Sequence, residues 1–224
     1  MTYKSILCLN GDIPDTSFFS LAAKVPLISA DGAANALIAQ GLIPNIIIGD
    51  LDSVQTKLLK TIPYIHVYDQ NYCDYEKCLH YMEAHDLLPT LIVGINGKRL
   101  DHILNNVNIF IQMKGKHLFY APPFYGLVLQ AMDENRVLDN CSISIKTQPN
   151  TIISLLGMPY ARALSRGLKW ELDGLELSFP GQTSCLNQTI TNEVNLQVLQ
   201  GTILVLIEQN TPPTIDYNCP FQIR

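Results

Sequence analysis

Two carboxylates, Asp50 and Asp52, close the stretch Pro44 to Ser53, which reads P-N-I-I-I-G-D-L-D-S. Asn45 to Ile48 is short, apolar and β-branched, the composition of a buried strand, and Gly49 lets the backbone bend away at its end. The pair is therefore expected at the C-terminal end of a strand, the edge where open α/β sheets bind ligands. Hard oxygen ligands so spaced suit Mg²⁺, which takes one or two protein carboxylates and completes its shell with water and phosphate oxygens. Asp50 and Asp52 equally suit a capping role for a helix starting near Thr56, so the pair alone leaves both readings open.

Three further acids share the same kind of position. Asp31 follows an expected strand over 26–30, Asp74 opens an expected helix over 74–88, and Asp101 opens another over 101–113. Parallel strands end on one rim, so these side chains converge although they are distant in sequence. Carboxylates gathered without a cation repel one another strongly, which favours cations at that rim over unrelated caps. Beside them lies the loop Gly94-Ile95-Asn96-Gly97-Lys98-Arg99, joining a strand to a helix. Its N–H groups and the cations Lys98 and Arg99 suit a phosphate chain, although it is neither a P-loop nor a dinucleotide fingerprint. His102, next to an apolar helix face, reads as a structural histidine, and His66, His80, His85 and His117 form no pattern.

The elements that must position these residues alternate. Strands are expected at 5–9, 26–30, 45–48, 64–68, 90–93 and 117–120. Helices fall at 16–24, 33–40, 56–60, 74–88 and 101–113, the first with Phe18, Phe19, Ala22 and Ala23 as its apolar face and the last with Ile103, Leu104, Val107, Phe110 and Ile111. Such alternation argues for a largely parallel α/β sheet. After Pro122-Pro123 helical periodicity nearly vanishes, and short strands follow at 127–131, 136–138, 142–146, 151–155, 175–179, 194–199 and 202–207. The expected architecture is an N-terminal α/β domain, 1–127, and a C-terminal all-β sandwich, 128–224.

With 224 residues and 47% hydrophobic content the chain has ample core for this. A net charge of −5 without a Lys/Arg cluster argues against nucleic acid as a partner. The N-terminal apolar run is too short for a signal peptide and no run reaches membrane-spanning length, so a cytoplasmic protein without a membrane partner is expected. Cys8, Cys73, Cys78, Cys141, Cys185 and Cys219 form no C-x-x-C pair, and reduced thiols are expected.

Taken in order, D-G-A-A-N (31–35), P-N-I-I-I-G-D-L-D-S (44–53), D-Q-N-Y-C-D-Y-E-K-C (69–78), G-I-N-G-K-R-L-D-H-I-L-N-N (94–106), S-R-G-L-K-W-E-L (165–172) and S-C-L-N (184–187) resemble the successive motifs of thiamin pyrophosphokinases. The resemblance implies an α/β domain binding ATP and Mg²⁺ and a β-sandwich for thiamin binding and dimerisation. It also implies transfer of pyrophosphate from ATP to thiamin with release of AMP. By motif, Asp50, Asp52 and Asp74 match the Mg²⁺ ligands. Asp31, Gln70, Arg99 and Asp101 match cleft residues around the phosphates and the reacting hydroxyl, with Lys98 and Asn105 in the same loop and helix segment. Trp170, Ser184 and Asn187, with Ser165 opening their motif, match thiamin-side positions that the family supplies from the partner subunit of a homodimer. The chain departs from the family at Ala33, Cys73 and Lys98, where Gly, Thr and Gly are common; these bear on the fit around the phosphates more than on the acids. The mechanism this implies has the thiamin hydroxyl attacking the β-phosphorus, with Asp101 or Asp74 orienting it or accepting its proton.

Two other readings stand beside it. I-I-I-G-D-L-D-S also resembles the Asp-x-Asp motif of haloacid dehalogenase-type Mg²⁺-dependent phosphatases, although that motif normally lies on the first strand. The chain also fits a non-catalytic nucleotide or thiamin binder with a dimerising β domain.

Overall fold

The computed structural model describes residues 3–20, 24–131 and 142–217. The chain divides into two compact units, Thr2–Ala121 and Pro122–Arg224. The division falls six residues before the 127/128 boundary expected from sequence, because the strand Phe124–Gln130 is continuous through that point.

The first unit contains β1 (Ser5–Cys8), α1 (Thr16–Ser20), β2 (Leu27–Ala30), α2 (Ala33–Ala39), β3 (Ile46–Gly49), β4 (Tyr64–His66), α3 (Asp74–Ala84), β5 (Thr90–Val93), α4 (Leu100–Gln112) and β6 (Leu118–Ala121). Its strands lie in the order β6-β5-β1-β2-β3-β4, and every neighbouring pair is parallel. Buried strands such as Leu91, Ile92 and Val93 are continuously apolar, as expected where helices cover a parallel sheet. The helix expected over 56–60 is only a 3₁₀ turn, Leu58–Lys60. On α4 the buried residues are Ile109 and Phe110, whereas Leu104, expected on the apolar face, is exposed together with Leu100. Ala22 and Ala23 lie outside the described residues, as does the strand expected over 136–138.

The second unit is antiparallel: β7 (Phe124–Gln130), β8 (Ser142–Lys146), β9 (Ile152–Arg166), β10 (Leu175–Ser178), β11 (Ser184–Gln188), β12 (Glu193–Glu208) and β13 (Thr214–Tyr217). Its two long strands form the centre. β12 pairs with β9 along most of its length, while its other edge takes β8 near the start and β7 near the end. The sequence suggested two strands at 194–199 and 202–207. They are one strand, with the register slipping around Leu199 and Thr202 and Gly201 at φ +75°. A β-bulge thus occupies the gap between the two expected strands. Similarly β9 runs on past Gly157, where a Cβ would lie 2.1 Å from the Leu177 carbonyl oxygen. That glycine lets another strand approach closely rather than ending its own.

Candidate active site

The parallel strands of the first unit deliver three carboxylates to one place. Asp31 follows β2, Asp50 follows β3 and Asp74 opens α3, and one ligand oxygen from each lies within 4.8 Å of the others. Gly49 permits this crowding: a Cβ there would stand 2.7 Å from the Asp31 Cβ and 3.1 Å from an Asp74 carboxylate oxygen. Asp31 itself adopts φ +40°, a left-handed conformation that Asp tolerates better than most residues, and its N–H donates to the Ile48 carbonyl at 2.8 Å. Its side chain is buried, and Oδ1 has no hydrogen-bond partner among the described residues.

The three acids are electrostatically distinct. Burial raises the Asp31 pKa above the usual carboxylate value, and the charges of Asp74 and Asp50 add to the rise. Asp50 is shifted down, chiefly because Gln70 Nε2 donates to its Oδ2 at 3.1 Å, with the Asp52 N–H and the Lys77 charge assisting. Lys77, three residues after Asp74 on α3, has a side chain only 2% exposed, and its ammonium lies 3.1 Å from Asp74 and 3.8 Å from Asp50. Burial opposes its charge, but the hydrogen bond to Asp74 and the surrounding carboxylates prevail and its pKa is raised. The sequence reading missed this lysine, because an i,i+3 Asp–Lys pair reads as an ordinary solvated helix pair.

Asp31, Asp50 and Asp74 border a cleft of about 350 Å³ lined also by Asp52, Lys98 and Asn105. Glycines shape its rim: a Cβ on Gly11 would fall 2.0 Å from the Asn96 carbonyl oxygen, and one on Gly97 2.1 Å from the Asp12 carboxylate. Lys98, at φ +60°, hydrogen-bonds Asn10 at 2.5 Å, tying the loop after β5 to the loop after β1. Asp52 lines the cleft but stands outside the close trio, its carboxylate accepting from the Ser53 hydroxyl at 2.7 Å. Arg99 and Asp101 do not line it. They form a two-point ion pair, at 3.0 and 2.6 Å, on the exposed start of α4, and the guanidinium lowers the Asp101 pKa to about 2.

In the second unit the sequence-derived positions also separate by role. Trp170, for which a core position is the usual fate of a lone tryptophan, is 56% exposed, with the Lys169 ammonium 4.6 Å from its ring centroid. Asn187 is buried and braces its neighbours: it exchanges two hydrogen bonds with the Trp170 backbone, and its Nδ2 donates to the Ser184 hydroxyl at 3.0 Å. Ser165, expected at the substrate, is fully buried; its hydroxyl donates to Glu171 and accepts from the Leu172 N–H at 2.8 Å. Its place is in the support of the 167–172 turn rather than on a binding surface.

The family model described as thiamin pyrophosphokinase, catalytic domain, matches residues 20–119, the segment that carries all three clustered acids. Thiamine pyrophosphokinase 2 of Arabidopsis thaliana is 26% identical over 216 residues, covering 83% of this chain and 79% of the relative. Over residues 20–119 and at this level of identity, the chain is similar to thiamin pyrophosphokinases. Thiamin pyrophosphokinase 1 of Caenorhabditis elegans is equally similar, at 26% over 204 residues, with 82% and 79% coverage. In fold, thiamin pyrophosphokinase from Candida albicans superposes with a TM-score of 0.78 at 18% identity, covering 93% of this chain and 90% of that one. The yeast thiamin pyrophosphokinase gives 0.76 at 20% identity, covering 92% and 86%. The likeness in fold thus extends beyond the part that the catalytic-domain model matches.

Proposed function

We propose that this chain transfers a pyrophosphoryl group from ATP to the hydroxyl of thiamin, giving thiamin diphosphate and AMP. The observation that carries the reading is the trio Asp31, Asp50 and Asp74 at the C-terminal rim of a parallel sheet, with one buried carboxylate oxygen without a partner among the described residues. An all-oxygen donor set with an orphaned buried acceptor fits a hard divalent cation such as Mg²⁺. Asp31, Asp50 and Asp74 would hold it, joined by Asp52 once nucleotide is present. When bound, the cation neutralises and orients the nucleotide phosphates.

The protein's own groups account for the rest. Lys98, at the mouth of the cleft, supplies positive charge where negative charge accumulates as the α–β bridge breaks. Asn105 and the loop N–H groups orient the phosphates. The thiamin hydroxyl oxygen attacks the β-phosphorus, the bond from that phosphorus to the bridging oxygen breaks, and AMP leaves with that oxygen. Because such transfers pass through a loose transition state, the hydroxyl needs positioning more than a strong base. Asp101, held near pKa 2 by Arg99, is a poor proton acceptor, so orienting the hydroxyl falls to a cleft carboxylate, with Asp74 the candidate. Arg99 and Asp101 act at the entrance.

Thiamin is assigned to the surface around Trp170 and Ser184, with the exposed indole packing on the thiazolium, a contact of about 0.5–2 kcal/mol. A homodimer in which each cleft is completed by a partner's β unit follows from the family reading. The test is to incubate the purified protein with ATP, Mg²⁺ and thiamin and resolve the products. Equimolar AMP and thiamin diphosphate are expected. Phosphate release without thiamin would favour the phosphatase reading, and nucleotide binding without turnover the binder.

A further inference from the structure

A lysine in the first turn of a helix stands against the helix dipole, and a lysine side chain only 2% exposed is rare unless paired. Lys77 is both, and what offsets these costs is the carboxylate trio. Its ammonium contacts Asp74 at 3.1 Å and Asp50 at 3.8 Å, on the helix face that one turn from Asp74 brings over the end of β3. The trio carries a formal charge of −3, and with Lys77 the group carries −2, the charge that a single divalent cation balances. A fixed cation this close also repels any second cation entering the same carboxylates, in a partly desolvated setting where such repulsion is large.

We propose that Lys77 is a built-in counter-charge that holds the carboxylates in place without metal and keeps their grip on free divalent cations weak, so that the metal enters and leaves with the nucleotide's phosphates. Lys77 is thus a positioning residue, which tunes the site without touching substrate. The inference rests on the cation-binding reading of the trio given above. It differs from simple preorganisation in sign: if the lysine only arranged ligands, its removal would weaken metal binding, whereas a counter-charge, once removed, leaves a site that binds free metal more tightly.

The experiment is calorimetric titration of MgCl₂ into the full chain at pH 8 without nucleotide, for wild type, Lys77→Met, Lys77→Gln and Lys77→Arg, with thermal melts in EDTA and in saturating Mg²⁺. Lys77→Met is expected to bind Mg²⁺ at least tenfold more tightly than wild type, to melt lower in EDTA, and to recover most of that loss in Mg²⁺. Lys77→Gln, which keeps a donor for Asp74 without the charge, is expected to follow it and serves if the methionine variant does not fold. Lys77→Arg is expected to keep wild-type affinity. Unchanged or weaker Mg²⁺ binding in the charge-removing variants overturns the proposal, as does an equal change in Lys77→Arg. If wild type binds no Mg²⁺ even with a non-hydrolysable ATP analogue, the cation reading of the trio itself fails, a result distinct from wild-type binding that Lys77 variants leave unaltered.

Discussion

Asn187 grips the Trp170 peptide at both ends: its Oδ1 accepts the Trp170 N–H at 3.2 Å and its Nδ2 donates to the Trp170 carbonyl at 2.7 Å. The same amide holds Ser184, so one buried side chain sets the spacing of the exposed indole and a neighbouring hydroxyl. Asn187→Leu is therefore expected to raise the KM for thiamin about tenfold while the KM for ATP moves by less than about twofold. The loss of buried hydrogen bonds should also cost about 1–3 kcal/mol of stability. Trp170→Ala, on an exposed ring, is expected to raise thiamin KM by roughly 2- to 30-fold, the range of a cation–π contact, at little cost in stability. Steady-state kinetics and denaturant melts separate the two variants.

Gly49 is the point where sequence most tightly constrains the site. Any side chain there meets both Asp31 and Asp74. Gly49→Ala is expected to displace Asp31 by up to about 1 Å and to lower kcat/KM for ATP by up to about 100-fold, the loss that a misplacement of this size brings. Circular dichroism close to that of wild type would show that the loss belongs to the cleft rather than to the sheet.

Asp52 and Asp31 should differ in when they matter. Asp31 belongs to the close trio, whereas Asp52 lines the cleft outside it. With Mn²⁺ as a paramagnetic probe and no nucleotide present, Asp31→Asn is expected to weaken binding at least tenfold and Asp52→Asn by less than about threefold. With ATP present, both should lower turnover by about two orders of magnitude or more, as loss of charge-stabilising groups in phosphoryl transfer does.

His117 gives the first unit a pH-dependent stability unconnected with catalysis. It is buried, its Nδ1 faces the Thr90 N–H at 3.2 Å and its Nε2 the Lys114 carbonyl at 2.9 Å. A backbone N–H only donates and a carbonyl only accepts, so Nδ1 must be bare and Nε2 must carry the proton. Burial accordingly lowers the His117 pKa from 6.5. A histidine with a depressed folded pKa contributes stability that is present above its unfolded value and lost as pH falls through the folded one. Thermal melts are expected to show a loss of stability below about pH 6.5 that His117→Gln, with no titrating ring, removes.

Much of this was legible in the chain. The acid after each strand is readable because parallel strands end on one rim, and the β5 strand Thr90–Val93 is bounded as its apolar run suggests. What was not legible depends on contacts between distant segments. Asp31 gave no sign that its carboxylate, rather than that of Asp52, completes the close trio, since that follows from the approach of β2 to Gly49. Lys77 is not singled out by sequence because nothing local shows that Asp50 closes over it. Ser165 and Asn187 sit within motifs and so looked like ligand contacts, yet their polar atoms are spent on neighbouring backbone and side chains. The sequence expectation stops β9 at residue 155, short of Gly157, and splits β12 around Gly201, since a glycine that admits a neighbouring strand or a bulge has the same local signature as one that ends a strand.

In the proposed function, the clustered carboxylates make this cleft a cation-dependent site for pyrophosphoryl transfer. The most direct measurement is thiamin-dependent AMP formation by Asp50→Asn and Asp74→Asn at saturating ATP and Mg²⁺, each checked for a native melt. A fall of about 100-fold or more in both is expected; AMP formation within about threefold of wild type in either would contradict it.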